Sequence, residues 1–384
     1  MRHCVLLFLS LCVVGLQGCS YLRMQQAVRA SPTDWIMYGG SIGRTNHSYE
    51  TLKPPFVKVW EYDASAGFSP YSGAASDGYL FVGNLQGEVH AIEISTGKKI
   101  GVHDFGSSIV GTPIIENNTL FVALTNEKEN LVGYNLLTGR VVWRAVVGNV
   151  ESSPLMIGDR LYVTTLQGKL ICVNKHTGET IWTYKIPVQQ RPTIIRSSPS
   201  SDGNIILFGC DDGHLYAVDG NDGTFRWSAK TGGSIVSSPS IRARKVVVGS
   251  LDEILYAFDV DNGNLVWKQA LGAKIYASPA INEKHVYIGT SAQTFYCISL
   301  ETGNVIWKFS TKSVINAPPL ISGDIVYVGS LDKNLYALHS ETGDLLWQYQ
   351  AKGRIKTMPI ISKQRLIVFV EDRSVIAFKN VESE

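Results

Sequence analysis

Charge is scarce in this chain. Asp, Glu, Lys and Arg make up 18% of it, and 35 basic residues stand against 33 acidic ones. A net charge of +2 cannot supply the basic field that a dedicated nucleic-acid binder needs, so nucleic acid is excluded as a partner class. Long apolar runs are scarce too. Val5 to Leu16 is shorter than the roughly 20 residues that a spanning helix requires. Metal patterns are missing: the eight His residues show neither HExxH nor Cys-His spacing, which removes the common zinc designs. Asp259-x-Asp261-x-Gly263 opens like a calcium loop, but its twelfth position is Ala270 instead of the bidentate Glu. Gly39-Gly40-Ser41-Ile42-Gly43 matches a nucleophile-elbow pattern without the strand and helix that would give the pattern meaning.

What is present is apolar and turn-rich: 45% hydrophobic residues, 36 Gly and 17 Tyr, the balance of a folded β-protein rather than a disordered one. At the N-terminus Arg2 and the apolar run to Leu16 read as a signal peptide, residues 1–18. Leu16-Gln17-Gly18-Cys19 resembles a bacterial lipobox, which makes Cys19 the lipid acceptor; an ordinary secretory signal that happens to end on cysteine is the alternative. Ser20 after the cysteine, by resemblance to Gram-negative lipoproteins, implies the outer membrane. With Cys4 and Cys12 removed and Cys19 acylated, Cys172, Cys210 and Cys297 remain, an odd number that leaves at least one thiol unpaired. Cys172 and Cys297 fall where other repeats carry Ala217, Ala257 and Ala337, so they read as small buried apolar residues.

The chain repeats itself. Ser237 to Trp267 aligns with Ala277 to Trp307, and a marker recurs roughly every 40 residues at Trp60, Gly101, Trp143, Trp182, Trp227, Trp267, Trp307 and Trp347. Prolines keep the same beat from Pro70 to Pro359. Eight units of this period predict an all-β, eight-bladed propeller of four-stranded antiparallel blades. Each unit reads as a strand opened by Pro, a β-branched second strand, a third such as Leu255-Tyr256-Ala257-Phe258, a Gly turn and a fourth strand carrying the Trp. The last unit lacks its fourth strand, while Phe56 to Tyr62 supplies a spare one at the other end. The N-terminal strand is therefore predicted to close the C-terminal blade and remove an exposed edge. This gives a propeller over 56–380, preceded by a lipidated N-terminus and tether over 19–55.

Ala217-x-Asp219-x-x-Asp222-Gly223-x-x-x-Trp227, echoed at Ala257 to Trp267 and Ala337 to Trp347, resembles the tryptophan-docking repeat of the pyrroloquinoline-quinone propeller superfamily. With a lipobox and no further domain, the chain resembles the BamB family of outer-membrane protein assembly factors. That resemblance implies a non-enzymatic, monomeric scaffold without cofactor or metal, lipid-anchored at the outer membrane, facing the periplasm and binding BamA-like assembly machinery. A small-ligand-binding or sensory propeller, and a quinone-dependent dehydrogenase, are the alternatives that the fold permits.

Two sets of residues carry these readings. In the superfamily's enzymes the cofactor and calcium sit at the propeller's mouth, near the start of the innermost strands. The residue three before each strand Pro is therefore read as lining the channel, and Glu151, Arg196, Tyr276, Asn316 and Lys356 form a polar ring there. One carboxylate and one amide beside two cations are too few hard oxygen ligands for a calcium-quinone site, and the adjacent cysteines of many quinoprotein alcohol dehydrogenases are missing. Separately, the interval from Trp182 to Trp227 is longer than its neighbours, the excess falling between Ile186 and Arg196. Loops on rigid scaffolds carry function, and apolar residues with arginine are hot-spot composition. In the BamB family a comparable connection meets BamA, which implies a partner interface at Val188, Arg191, Ile194, Ile195 and Arg196; a length variant packed on the propeller face is the alternative.

Overall fold

In the computed structural model, which describes residues 21–71, 73–125, 128–187 and 193–381, the described chain contains no helix. It forms eight four-stranded antiparallel sheets. Blade 1 comprises Ala74–Ser76, Tyr79–Gly83, Glu88–Glu93 and Lys99–Asp104. Blades 2 to 7 repeat this order, opening at Ile114, Leu155, Ser200, Ser240, Ala280 and Leu320. The first strands of successive blades face one another around the channel. Blade 8 takes Ile360–Ser362, Arg365–Phe369 and Ser374–Asn380 from the C-terminal end and Phe56–Asp63 from the N-terminal end. The register runs from Phe56 opposite Asn380 to Asp63 opposite Ser374, so the predicted closure is observed.

Each outer strand is bulged one residue ahead of its marker, so that Ala217 faces Trp227, Ala257 faces Trp267 and Ala337 faces Trp347. A bulge bends the strand and re-aims the side chain after it; here it turns the indole toward the next blade. Trp227 lies on Gly263 and Trp267 on Gly303, at positions where a Cβ would come within 2.5–2.7 Å of the ring, and both glycines have φ above +70°. Only glycine meets both requirements. Cys172 and Cys297 face Trp182 and Trp307. With Cys210 they are free and buried, and burial pushes the thiols of Cys172 and Cys297 up to about 12.

Two expectations are corrected by the structure. In seven blades the proline directly precedes the first strand, but in blade 1 that place belongs to Gly73, with Pro70 displaced toward the channel mouth. The larger correction concerns residues 19–55. From Tyr21 onward this segment is part of the domain, and Leu22, Trp35, Tyr38, Arg44 and Leu52 are all buried. The first strand of each blade has no neighbour on the channel side, so its outward N–H groups need acceptors. For six of the eight blades the N-terminal segment supplies one: the carbonyls of Trp35, Ile36, Ile42, Gly43, Thr45 and Asn46 accept from Ala75, Ile115, Ser201, Ile241, Ile281 and Ile321 at 2.8–3.0 Å. Arg44 completes the plug. Its guanidinium donates to the carbonyls of Pro199 (3.0 Å), Pro154 (2.8 Å), Ser153 (3.2 Å) and Tyr38.

Candidate functional site at the channel mouth

With one end plugged, the channel is a blind funnel. Its open mouth is a cavity of about 280 Å³ whose wall includes Glu151, Arg196, Tyr276 and Asn316, with Pro70, Val110 and Val236 between them. Four residues of the predicted ring are thus brought together. Lys356 is not among the lining residues: its ammonium lies 3.2 Å from Glu371, which Arg354 also engages. The floor is Tyr38, packed edge-on against Tyr71 at 5.0 Å between ring centroids.

Arg196 dominates the wall electrostatically. Its Nη1 bonds the Asp211 carboxylate, and its Nε lies 3.6 Å from Glu151, while the side chain remains 43% exposed. Burial raises the Asp211 carboxyl above the usual carboxylate range, and the attraction of Arg196 only partly offsets it. Asp211 was absent from the residues expected at the site, although a signal existed. Its position opens the turn between second and third strands, which is Leu85, Thr125, Leu166, Leu251, Ser291 and Leu331 in six other blades and acidic only here and at Glu371. Asp212 does turn chemistry, accepting from His214 N–H (2.9 Å) and Tyr216 O–H (2.6 Å).

The long connection enters this same face. Val188 and Arg191 lie outside the described residues, as does Cys19. Ile194 is half-buried, and its carbonyl accepts from Asp211 N–H at 2.9 Å. Ile195 is fully buried, which removes it from any contact surface. It takes the position held in other blades by Ile235, Ile275, Ile315 and Ile355, which pack against the end of the neighbouring second strand at Gly209, Gly249, Gly289 and Gly329. The spacing four before the strand proline already carried this signal. Arg196 is the residue shared by the connection and the ring.

A ring of eight four-stranded blades, locked by tryptophan on glycine and open at one polar mouth, defines the pyrroloquinoline-quinone-type β-propeller class. Within that class, the family model described as outer membrane protein assembly factor BamB matches residues 57–192, 192–274 and 251–382, and the chain belongs to this family. Curated relatives include BamB of Shewanella oneidensis, 26% identical over 171 residues, 40% of this chain and 41% of that protein. The BamB of Yersinia pestis is 22% identical over 51% of this chain and 55% of its own length. The matches thus span about two fifths to just over half the length of these relatives. Tetrathionate hydrolase of Acidithiobacillus ferrooxidans is 28% identical over 31% of this chain and 24% of its own length.

Among solved structures, BamB from Moraxella catarrhalis superposes with a TM-score of 0.71 at 17% identity, covering 85% of this chain and 100% of that one. Quinohemoprotein alcohol dehydrogenase from Comamonas testosteroni gives 0.76 at 13%, covering 91% and 81%. Such identities show the shared fold alone. The mouth does not fit a quinone held with a hard cation: among its lining residues Glu151 is the one carboxylate and Asn316 the one amide, while Asp211 is engaged by Arg196. Hard cations take six or more oxygen ligands.

Proposed function

We propose that this protein is a non-enzymatic scaffold lipoprotein, anchored to the outer membrane through Cys19 and facing the periplasm, that assists assembly of β-barrel proteins by holding BamA-like machinery. Its partner face is the channel mouth at blades 3 and 4, with Val188, Arg191, Ile194 and Arg196 at the contact. The observation that carries this reading is Arg196, fixed by Asp211 and Glu151 yet 43% exposed, at the end of the long connection. A pre-organised guanidinium loses little entropy on binding, which is what makes arginine a hot spot. Family membership supports the assembly role.

The test is affinity purification of the tagged lipoprotein from its native membrane in mild detergent, comparing wild type with Arg191→Glu/Arg196→Glu. Recovery of BamA-like machinery by wild type, reduced at least tenfold in the variant, is expected. An intact, lipidated wild type that brings down none of it overturns the assembly role and turns attention to small molecules in the mouth.

A further inference from the structure

We infer that the outer rim of blades 1 and 2 is a membrane-seating surface that lies on anionic phospholipid. This rests on Cys19 being the lipid-bearing residue, and it adds a fixed orientation to that reading.

Blade 1 is the blade without a docking tryptophan; Gly101 stands in its place. At five other interfaces the indole N–H donates to a carbonyl of the next blade, as Trp143 does to Lys175 and Trp267 to Leu300, both at 2.9 Å. Between blades 1 and 2 the corresponding carbonyl is that of Leu136, and the backbone N–H of Met24 reaches it at 2.8 Å. Leu22 N–H bonds Val102 O at 3.0 Å, and Tyr134 O–H bonds Leu22 O at 2.7 Å. Leu22, Met24 and Val28 are buried in the slot. A Cβ on Gly101 would lie 2.7 Å from Tyr21 O and 2.9 Å from Leu22 Cα. The glycine thus makes room for the N-terminal segment, which docks where an indole docks elsewhere.

Tyr21, the first described residue, thus sits in this slot two positions after Cys19. At about 3.6 Å per residue at most, two residues reach roughly 7 Å. An acylated Cys19 consequently holds the strand Lys99–Asp104 against the bilayer with almost no slack. The surface there suits that position. Tyr21 is 72% exposed, and Val142 and Val146 on the blade 2 outer edge are 58% and 69% exposed. Val142 and Val146 alternate with the exposed Arg140 and Arg144. Lys99 shares a groove with Tyr21, and Arg23 reaches across to Leu137 O. The same groove also holds Asp63, Glu88 and Asp104, of which Asp63 pairs with Arg373, Glu88 with His90, and Asp104 accepts from Gly106 N–H at 2.7 Å, so the cations that face outward are Arg140 and Arg144 on blade 2. Interleaved cations and apolar side chains beside an interfacial tyrosine match an anionic headgroup layer.

The test uses the full lipidated protein in vesicles of phosphatidylethanolamine and phosphatidylglycerol. A fluorophore is placed at Val146→Cys or, across the ring on blade 6, at Ile306→Cys; the three native thiols are buried. Headgroup-nitroxide lipid is expected to quench position 146 at least fivefold more than 306. Arg140→Glu/Arg144→Glu is expected to cut that ratio by half or more, and so is Leu22→Asp, which expels the segment while leaving the ring closed. Mass spectrometry of the N-terminal peptide reads the acylation separately. Acylated protein with equal quenching at both positions overturns the seating surface and leaves the lipoprotein standing. Absence of the diacylglyceryl group overturns both, and a ratio unchanged by Leu22→Asp overturns the docked anchor.

Discussion

Replacing Arg44 with Met tests whether the N-terminal segment is an integral plug. The side chain is fully buried, lies over the Tyr38 ring at 5.1 Å, and donates hydrogen bonds to the backbone carbonyls of Tyr38, Ser153, Pro154 and Pro199. Hydrogen bonds from a charged donor contribute about 1.5–3 kcal/mol each, so four of them amount to roughly 6–12 kcal/mol gross. Against this stands the cost of burying the cation. Burial lowers the Arg44 pKa to about 10, and at 1.36 kcal/mol per unit that is roughly 3 kcal/mol. Water entering the vacated space recovers part of the remainder, leaving an expected loss of about 3–5 kcal/mol in Arg44→Met. Arg44→Lys keeps the charge but has no planar fork, and should fall between. Urea unfolding followed by tryptophan fluorescence reads both variants. A loss below about 1 kcal/mol in Arg44→Met would refute the reasoning, because the carbonyls would then not depend on the guanidinium.

Other outcomes follow from the same structure. Trp182 has a buried Nε1 without a partner, because the Gly220 carbonyl that would receive it is taken by Arg160 (2.8 Å) and Tyr162 (2.9 Å). Trp227 Nε1 bonds Val260 O at 3.0 Å, so Trp227→Phe should cost about 1 kcal/mol more than Trp182→Phe in the same unfolding assay; equal losses would contradict this. Stability should also fall on mild acidification. Burial lowers the pKa of His47, His90, His103 and His285, so the folded state resists protons that the unfolded chain takes up near pH 6.5. Their contribution is complete above about pH 6.5 and is lost as pH drops below it. Thermal melts at about pH 7.5 and 5.5 check this, and a midpoint that rises toward pH 5.5 would contradict it.

The sequence by itself determined the ring. A 40-residue beat of proline, turn glycine and tryptophan is readable because each blade solves the same packing problem with the same residues. The closure was readable because a strand missing at one end was present at the other. Small residues opposite each indole explained Cys172 and Cys297 before any coordinates did. Four of five ring residues were legible for the same reason, since position in the repeat fixes position in space.

What only the tertiary structure decided lies outside the repeat. Residues 21–52 carry no period of their own, and their partners are backbone groups of distant strands, so nothing local marks them as a plug. Gly101 is a gap in a pattern when read along the chain and a docking slot when Leu22 is seen against it. Ile195 is taken out of reach by packing inside the ring, a burial that the composition of the connection did not reveal. Arg196 acquired its role from Asp211, fifteen positions away, because folding sets the mouth of one blade beside its own turn.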